Sequence, residues 1–158
     1  MKAAVLTISD GCFKGTRVDE SGDYIERVLR ENGWEVAFRD VVPDEKGLIS
    51  TKLKDWTNQV DLILTTGGTG LTPRDVTPEA TLEVLERRAP GISEFIRLEG
   101  LKKTCNASLS RAEAGTRGKT LIVNLPGSLN AVQDGMEALL KIIPHALEMM
   151  AGKGHSKQ

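Results

Sequence analysis

The sequence predicts a single-domain α/β protein of three layers, αβα, with a mostly parallel sheet between helices on both faces. Three observations predict it. Short apolar, β-branched runs alternate along the 158 residues with stretches whose apolar residues fall at helical spacing. The connections between them are brief and rich in glycine, proline, aspartate and serine. One connection, Thr65-Thr66-Gly67-Gly68-Thr69-Gly70-Leu71-Thr72-Pro73-Arg74-Asp75, directly follows an apolar strand, where an α/β sheet presents its ligand site.

Residues 3–9 are short, apolar and β-branched, as a central parallel strand requires. The strand ends in Thr7-Ile8-Ser9-Asp10, and residues 11–19 read as a polar loop. Ser21-Gly22-Asp23 marks a helix start, with acids suited to the positive end of the helix dipole. Tyr24, Ile25, Val28 and Leu29 share one stripe of that helix, and Asn32-Gly33 ends it. Residues 34–42 form a second strand, stopped by Pro43, with Asp44 at its carboxyl edge. Residues 45–56 place Leu48, Ile49, Leu53 and Trp56 at helical spacing, and a third strand covers 61–65. Beyond the glycine segment, Thr77 reads as a helix cap with Pro78 in the first helical position, and Leu82, Val84 and Leu85 form the apolar face. Pro90-Gly91 breaks the chain, and Ile92, Phe95, Ile96 and Leu101 carry a second helical pattern to about residue 104. Residues 106–119 read as a polar loop. Residues 120–124 are a fourth strand, followed by Leu125-Pro126-Gly127-Ser128. Val132, Met136, Leu139, Leu140 and Ile143 define a last helix, which Pro144 kinks or restarts, and residues 152–158 read as a frayed tail.

Four parallel strands send the loops after Ser9, Val42, Leu64 and Asn124 to one edge of the sheet. That edge gathers Ser9, Asp10, Asp44, the glycine segment and residues 126–130.

Composition removes several function classes. With 21 basic and 22 acidic side chains and no basic run, the chain does not read as a nucleic-acid binder. No apolar stretch approaches the roughly 20 residues that span a bilayer. Cys12 and Cys105 have no metal-site spacing and form no disulfide framework, so a reducing, cytoplasmic setting is expected. The histidines, His145 and His155, lack a partner motif, which argues against a Ser-His-Asp or Cys-His hydrolase.

The glycine segment reads as a phosphate cradle. Glycines bring bare backbone N–H groups close to an anion, Thr66, Thr69 and Thr72 add hydroxyls, and Arg74 can fork onto phosphate oxygens. The alternative is a tight turn with a solvated charge pair. The segment lacks the Gly-Lys-Ser/Thr ending of a Walker A loop, and its spacing and its place at the third strand differ from the dinucleotide fingerprint. Asp75 would repel phosphate unless a cation lay between them. Asp44 and Asp75 on neighbouring strand ends suit Mg²⁺, which takes one or two carboxylates plus phosphate oxygens. Asp44 reads equally as the N-cap of the helix after Pro43.

Thr65 to Gly70 together with Pro73-Arg74-Asp75-Val76-Thr77-Pro78-Glu79-Ala80-Thr81 is similar to the signature of the molybdenum-cofactor biosynthesis family. Further matches are Ser9-Asp10, Asp19-Ser21-Gly22, Val42-Pro43-Asp44, Ser108-Leu109-Ser110-Arg111 with Ala114-Gly115, Arg117-Gly118, and Asn124 to Gly127 with Asn130-Ala131-Val132. The resemblance implies one molybdopterin-binding domain over residues 1–151. It implies adenylyl transfer: AMP from Mg-ATP joins the terminal phosphate of molybdopterin, and pyrophosphate leaves. Asp44 and Asp75 would be catalytic and would hold Mg²⁺. Gly67, Gly68, Thr69 and Gly70 would hold phosphates. Ser108, Ser110, Arg111 and the loop Pro126, Gly127, Ser128 to Asn130 would bind the dithiolene-pterin ligand. Ser110-Arg111 could equally cap a helix, and Pro126-Gly127 could simply turn the chain. The resemblance also implies a homotrimer or a dimer of trimers. Two other roles within the family are a pterin binder that adenylylates poorly and a trimeric scaffold. One departure is visible: Leu129 stands where relatives commonly carry proline.

Overall fold

The computed structural model describes residues 1–153. The last part of the expected tail, residues 154–158, and with it His155, lies outside the described residues. The elements are β1 (Lys2–Ile8), α1 (Asp10–Phe13), α2 (Glu20–Glu31), β2 (Glu35–Val42), α3 (Lys46–Trp56), β3 (Leu62–Thr66), α4 (Thr77–Val84), β4 (Arg87–Arg88), α5 (Pro90–Leu101), β5 (Ala114–Arg117), β6 (Thr120–Leu125), α6 (Leu129–Leu140) and α7 (Ile143–Met150). A 3₁₀ turn, Cys105–Leu109, follows α5.

The strands form one sheet in the order β2-β1-β3-β6-β5-β4. The first four are mutually parallel, whereas β5 and β4 add an antiparallel end. The fold is therefore the expected αβα sandwich. Alternation along β1 divides its side chains between two cores. Ala3 and Val5 pack with Ile25, Leu29, Val132, Met136 and Leu139 beneath α2, α6 and α7. Ala4, Leu6 and Ile8 pack with Ile49, Leu53, Ala80 and Val84 beneath α3 and α4. Strands buried on both faces read as continuous apolar runs, which makes them legible in the sequence.

Several local expectations are corrected. Helix α2 starts before Ser21, because the Asp19 carboxylate accepts the Gly22 N–H at 2.9 Å and caps it. The loop after β1 contains α1, capped by the Ser9 hydroxyl accepting from Cys12 N–H at 3.1 Å. Thr77 is the first residue of α4 and makes no side-chain cap; its hydroxyl donates instead to the Gly67 carbonyl at 2.9 Å. Leu82 is 40 % exposed, and Ala80, Thr81 and Val84 fill the core in its place. Pro90 opens α5 rather than breaking the chain, since the first turn has no use for the missing N–H. Residues 106–119 contain most of the 3₁₀ turn and all of β5. Backbone bonds on either side of β4, Glu86 N–H to Thr116 O at 2.9 Å and Ala89 N–H to Ala114 O at 2.8 Å, hold it to β5. Pro144 restarts the chain as a separate helix, α7.

Among the described residues, no helix is long and apolar enough to cross a membrane.

Candidate active site

The carboxyl ends of β1, β2, β3 and β6 converge on the glycine segment, whose conformation is set by backbone contacts. Gly67 and Gly68 have φ of +99° and +68°, outside the comfortable range of L side chains. A Cβ on Gly67 would stand 2.2 Å from the Ile8 carbonyl oxygen. Gly67 N–H donates to Leu125 O at 3.2 Å, and the Thr66 hydroxyl donates to Pro126 O at 2.6 Å. Gly127 lies against Gly67, so close that a Cβ on Gly127 would be 3.3 Å from the Gly67 Cα. The Ser21 hydroxyl braces the same loop by donating to Gly127 O at 2.8 Å. Behind it, the buried Asn124 amide donates to the hydroxyls of Thr65 (2.9 Å) and Thr81 (3.0 Å), tying β3, β6 and α4 together.

The acids form a connected group. Asp10 N–H donates to Asp44 Oδ2 at 2.9 Å, and Asp44 N–H donates to Asp10 Oδ1 at 3.0 Å. Asp44 does not cap α3: the capping position belongs to Glu45, which makes no side-chain cap bond. Arg74 forks onto both Asp10 oxygens at 3.0 and 3.1 Å, which holds that carboxyl below the usual aspartate range. Burial pushes the Asp44 carboxyl above that range, and the like charges of Asp10 and Asp75 push it further the same way. The Asp75 carboxylate accepts Thr72 N–H at 3.3 Å. Both acids lie against the glycines: a Cβ on Gly68 would be 3.0 Å from Asp44 Oδ1, and one on Gly70 would be 2.8 Å from Asp75 Oδ2.

Two cavities flank this loop. One, of about 890 Å³, lies between the glycine segment, α5, the 3₁₀ turn and α6. The other, of about 470 Å³, lies over the ends of β1 and β3 beside α1 and the start of α2. Gly68, Asp75, Gly127 and Ser128 line both, so the cavities share a wall. Thr69, Gly70, Ser110, Pro126 and Asn130 line the larger cavity, and Ser9, Asp44, Thr66 and Gly67 line the smaller one. Leu129, at the start of α6, also lines the smaller cavity.

The remaining expected site residues are placed otherwise. Thr72 and Arg74 are exposed on the loop, and the Arg74 guanidinium meets Asp10 rather than open space. Ser108 is exposed and donates to Cys105 O at 2.7 Å within the 3₁₀ turn. Arg111 points into the protein's own backbone: it donates to Gly70 O at 2.8 Å and Asp75 O at 2.9 Å, and it pairs with Glu79. Its backbone N–H also donates to Thr69 O at 2.8 Å. Arg111 therefore clamps the glycine segment from Thr69 to Asp75. Ser21 and Thr77 brace the site through bonds that the sequence does not show. Thr77 resembles a cap in sequence, and its bond to Gly67 emerges only from the fold.

Asp44 and Asp75 are the carboxylates that would hold a magnesium ion. Among the described residues no cluster of three metal-ligating side chains occurs. The mutual repulsion of Asp44 and Asp75 would be relieved by a cation shared with substrate oxygens, the way Mg²⁺ is usually held.

A family model described as a probable molybdopterin binding domain matches residues 4–145. The chain belongs to that family of molybdenum-cofactor biosynthesis proteins. It is similar to the molybdopterin adenylyltransferase of Helicobacter pylori strain J99, 41 % identical over 153 residues, covering 94 % of this chain and 86 % of that protein. It is 44 % identical over 149 residues to the Drosophila melanogaster molybdenum cofactor synthesis protein cinnamon, of whose length it spans only 25 %. Among solved structures it resembles the molybdopterin biosynthesis enzyme MoaB of Thermus thermophilus, with a TM-score of 0.89 and 48 % identity over 98 % of this chain and 99 % of that one. The glycine signature, the shared cavity wall and both aspartates all lie inside the family match.

Proposed function

We propose that this protein is a molybdopterin adenylyltransferase, joining the AMP of Mg-ATP to the terminal phosphate of molybdopterin and releasing pyrophosphate. The observation that carries the reading is the shared wall of two cavities, where Gly68, Asp75, Gly127 and Ser128 face both. A transfer between two bulky phosphorylated molecules needs two chambers meeting at one reacting phosphorus. The nucleophile is already an anion, so no strong general base is required. His145 fits that absence: it is exposed on α7, beside Glu148 at 3.8 Å. The barrier is then positional and electrostatic. The backbone of residues 67–70 orients phosphates, and Asp44 and Asp75 would hold Mg²⁺, which would supply charge shielding between the ATP phosphates and the incoming anion. The named relative from Helicobacter pylori supports the same activity. The protein works in the cytoplasm as a homotrimer or a dimer of trimers, which light scattering measures directly.

The test is incubation of the purified chain with molybdopterin, ATP and Mg²⁺. Adenylylated molybdopterin and stoichiometric pyrophosphate are expected. Intact pterin binding without either product overturns the transferase and leaves a binding protein. That second reading is favoured by Leu129, which places a flexible apolar side chain in the smaller cavity.

A further inference from the structure

We infer that Arg17 is the residue that recognises the pyrophosphate portion of the nucleotide. This rests on the transferase reading and extends it to a side chain that the glycine signature does not include.

The argument starts from charge. The smaller cavity is lined by Asp19, Glu20, Asp44 and Asp75, and Arg17 is its sole basic lining residue. Asp19 is neutralised by Arg39 at 2.6 Å. Arg17 itself belongs to none of the ion pairs among the described residues, so its guanidinium is available. The larger cavity also has basic residues, but they are committed. Arg97 donates to Ser110 O (3.3 Å) and Ala112 O (3.1 Å), and Lys103 is paired with Asp134. The available cation therefore lies on the same side as the Asp44 carboxylate. A polyphosphate carrying Mg²⁺ needs both kinds of group, a carboxylate for the metal and a guanidinium for the remaining oxygens.

Its placement is built into the loop. Gly15 turns the chain with φ of +77°, and the N–H groups of Thr16 and Arg17 both donate to Gly11 O, at 2.9 and 3.2 Å. This folds the loop back over α1. Gly11 leaves room for the Arg17 stem: a Cβ there would meet Arg17 Cδ at 2.7 Å and Cγ at 3.0 Å. The stem is seated on Gly11, and the exposed residue lines the cavity. In an in-line displacement the leaving group departs opposite the nucleophile. With the reacting phosphorus at the shared wall, pyrophosphate departs into the smaller cavity and the pterin phosphate approaches from the larger.

The experiment measures binding of Mg-pyrophosphate by calorimetry, alongside steady-state kinetics, for wild type, Arg17→Met and Arg17→Lys. Arg17→Met keeps the apolar stem on Gly11 and removes the charge. It is expected to weaken Mg-pyrophosphate about tenfold or more and to raise the KM for ATP correspondingly, with the melting temperature and the affinity for molybdopterin unchanged. Arg17→Lys is expected to recover part of the loss. Equal pyrophosphate affinity in wild type and Arg17→Met overturns the assignment, as does a wild type that does not bind pyrophosphate. A loss confined to molybdopterin affinity also overturns it, by placing the pterin phosphate there. A wild type that binds pyrophosphate through Arg17 but forms no adenylylated product retains the assignment and overturns only the transferase reading.

Discussion

Asp10 and Asp44 exchange hydrogen bonds: the Asp10 N–H donates to the Asp44 carboxylate at 2.9 Å, and the Asp44 N–H to the Asp10 carboxylate at 3.0 Å. This reciprocal pair locks the end of β2 to the start of α1. It gives Asp44 two separable jobs, and substitution can divide them. Asp44→Asn keeps an acceptor for the Asp10 N–H and should leave the melting temperature close to wild type, while turnover falls by the roughly 2 to 4 kcal/mol typical of a lost electrostatic group at a reacting centre. Asp44→Ala should lose the same activity and also about 1 kcal/mol of stability. Normal turnover in Asp44→Asn would remove it from the chemistry.

Asp75→Asn also retains an acceptor for Thr72 N–H. It should preserve fold and pterin binding while lowering kcat by a similar amount. A rise in the KM for molybdopterin with unchanged kcat would instead assign Asp75 to ground-state binding of the pterin.

The two linked acids should titrate in opposite directions. Asp44 is raised by burial and by its acidic neighbours, so its stabilising contribution is complete below its unfolded pKa and is lost as pH rises through its higher folded value. Asp10 is lowered, first by Arg74, so its contribution is present above its unfolded pKa and is lost as pH falls through its lower folded value. Carboxyl-carbon NMR should show Asp44 protonating at higher pH than Asp10. Asp75→Asn should move Asp44 down, since one repelling charge is gone, and Mg²⁺ should do the same. A downward shift of Asp10 in Arg74→Ala would contradict the ion-pair account.

Two glycines with positive φ separate conformational strain from collision. Gly33 has φ of +85° with nothing within 4 Å of an added Cβ, so Gly33→Ala should cost about 1 to 2 kcal/mol. Gly67→Ala adds a collision with Ile8 O at 2.2 Å to the same strain and should cost more than about 3 kcal/mol or prevent folding. Denaturant titration of both variants checks the order.

Arg111→Ala removes the bonds to Gly70 O and Asp75 O and the partner of Glu79. Stability should fall by about 1 to 3 kcal/mol, and amide exchange should accelerate over residues 67–76. If Arg111 contacts the pterin instead, binding will fall with exchange unchanged. By contrast, the Arg74–Asp10 pair is open to solvent and should contribute little to stability.

The parallel half of the fold is legible in the sequence because its central strands are buried on both faces and therefore continuously apolar. The antiparallel end is not. Strand β4 is two exposed arginines and β5 is Ala-Gly-Thr-Arg, so backbone bonds rather than an apolar rhythm define them. The four residues of α1 are too few to show a period. At the site, the glycine segment and the sheet edge announce which residues gather. Their partners are hidden by distance along the chain. Arg74 meets a residue 64 positions away, and Arg111 meets carbonyls 41 and 36 positions away. A guanidinium in sequence looks equally available to a phosphate and to a carbonyl; only the fold tells them apart. Arg17 escapes sequence reasoning for the converse reason, since a lone arginine in a polar loop carries no pattern.

The contact of Gly127 with Gly67 sets main chain against main chain where the two cavities meet. Such a contact has no rotamers. The loop after β6 and the loop after β3 are bonded to each other, Gly67 N–H to Leu125 O and the Thr66 hydroxyl to Pro126 O, so a displacement of one pulls on the other. A shift on one side is thereby passed to the other through the backbone, while the cavity rims remain free to vary.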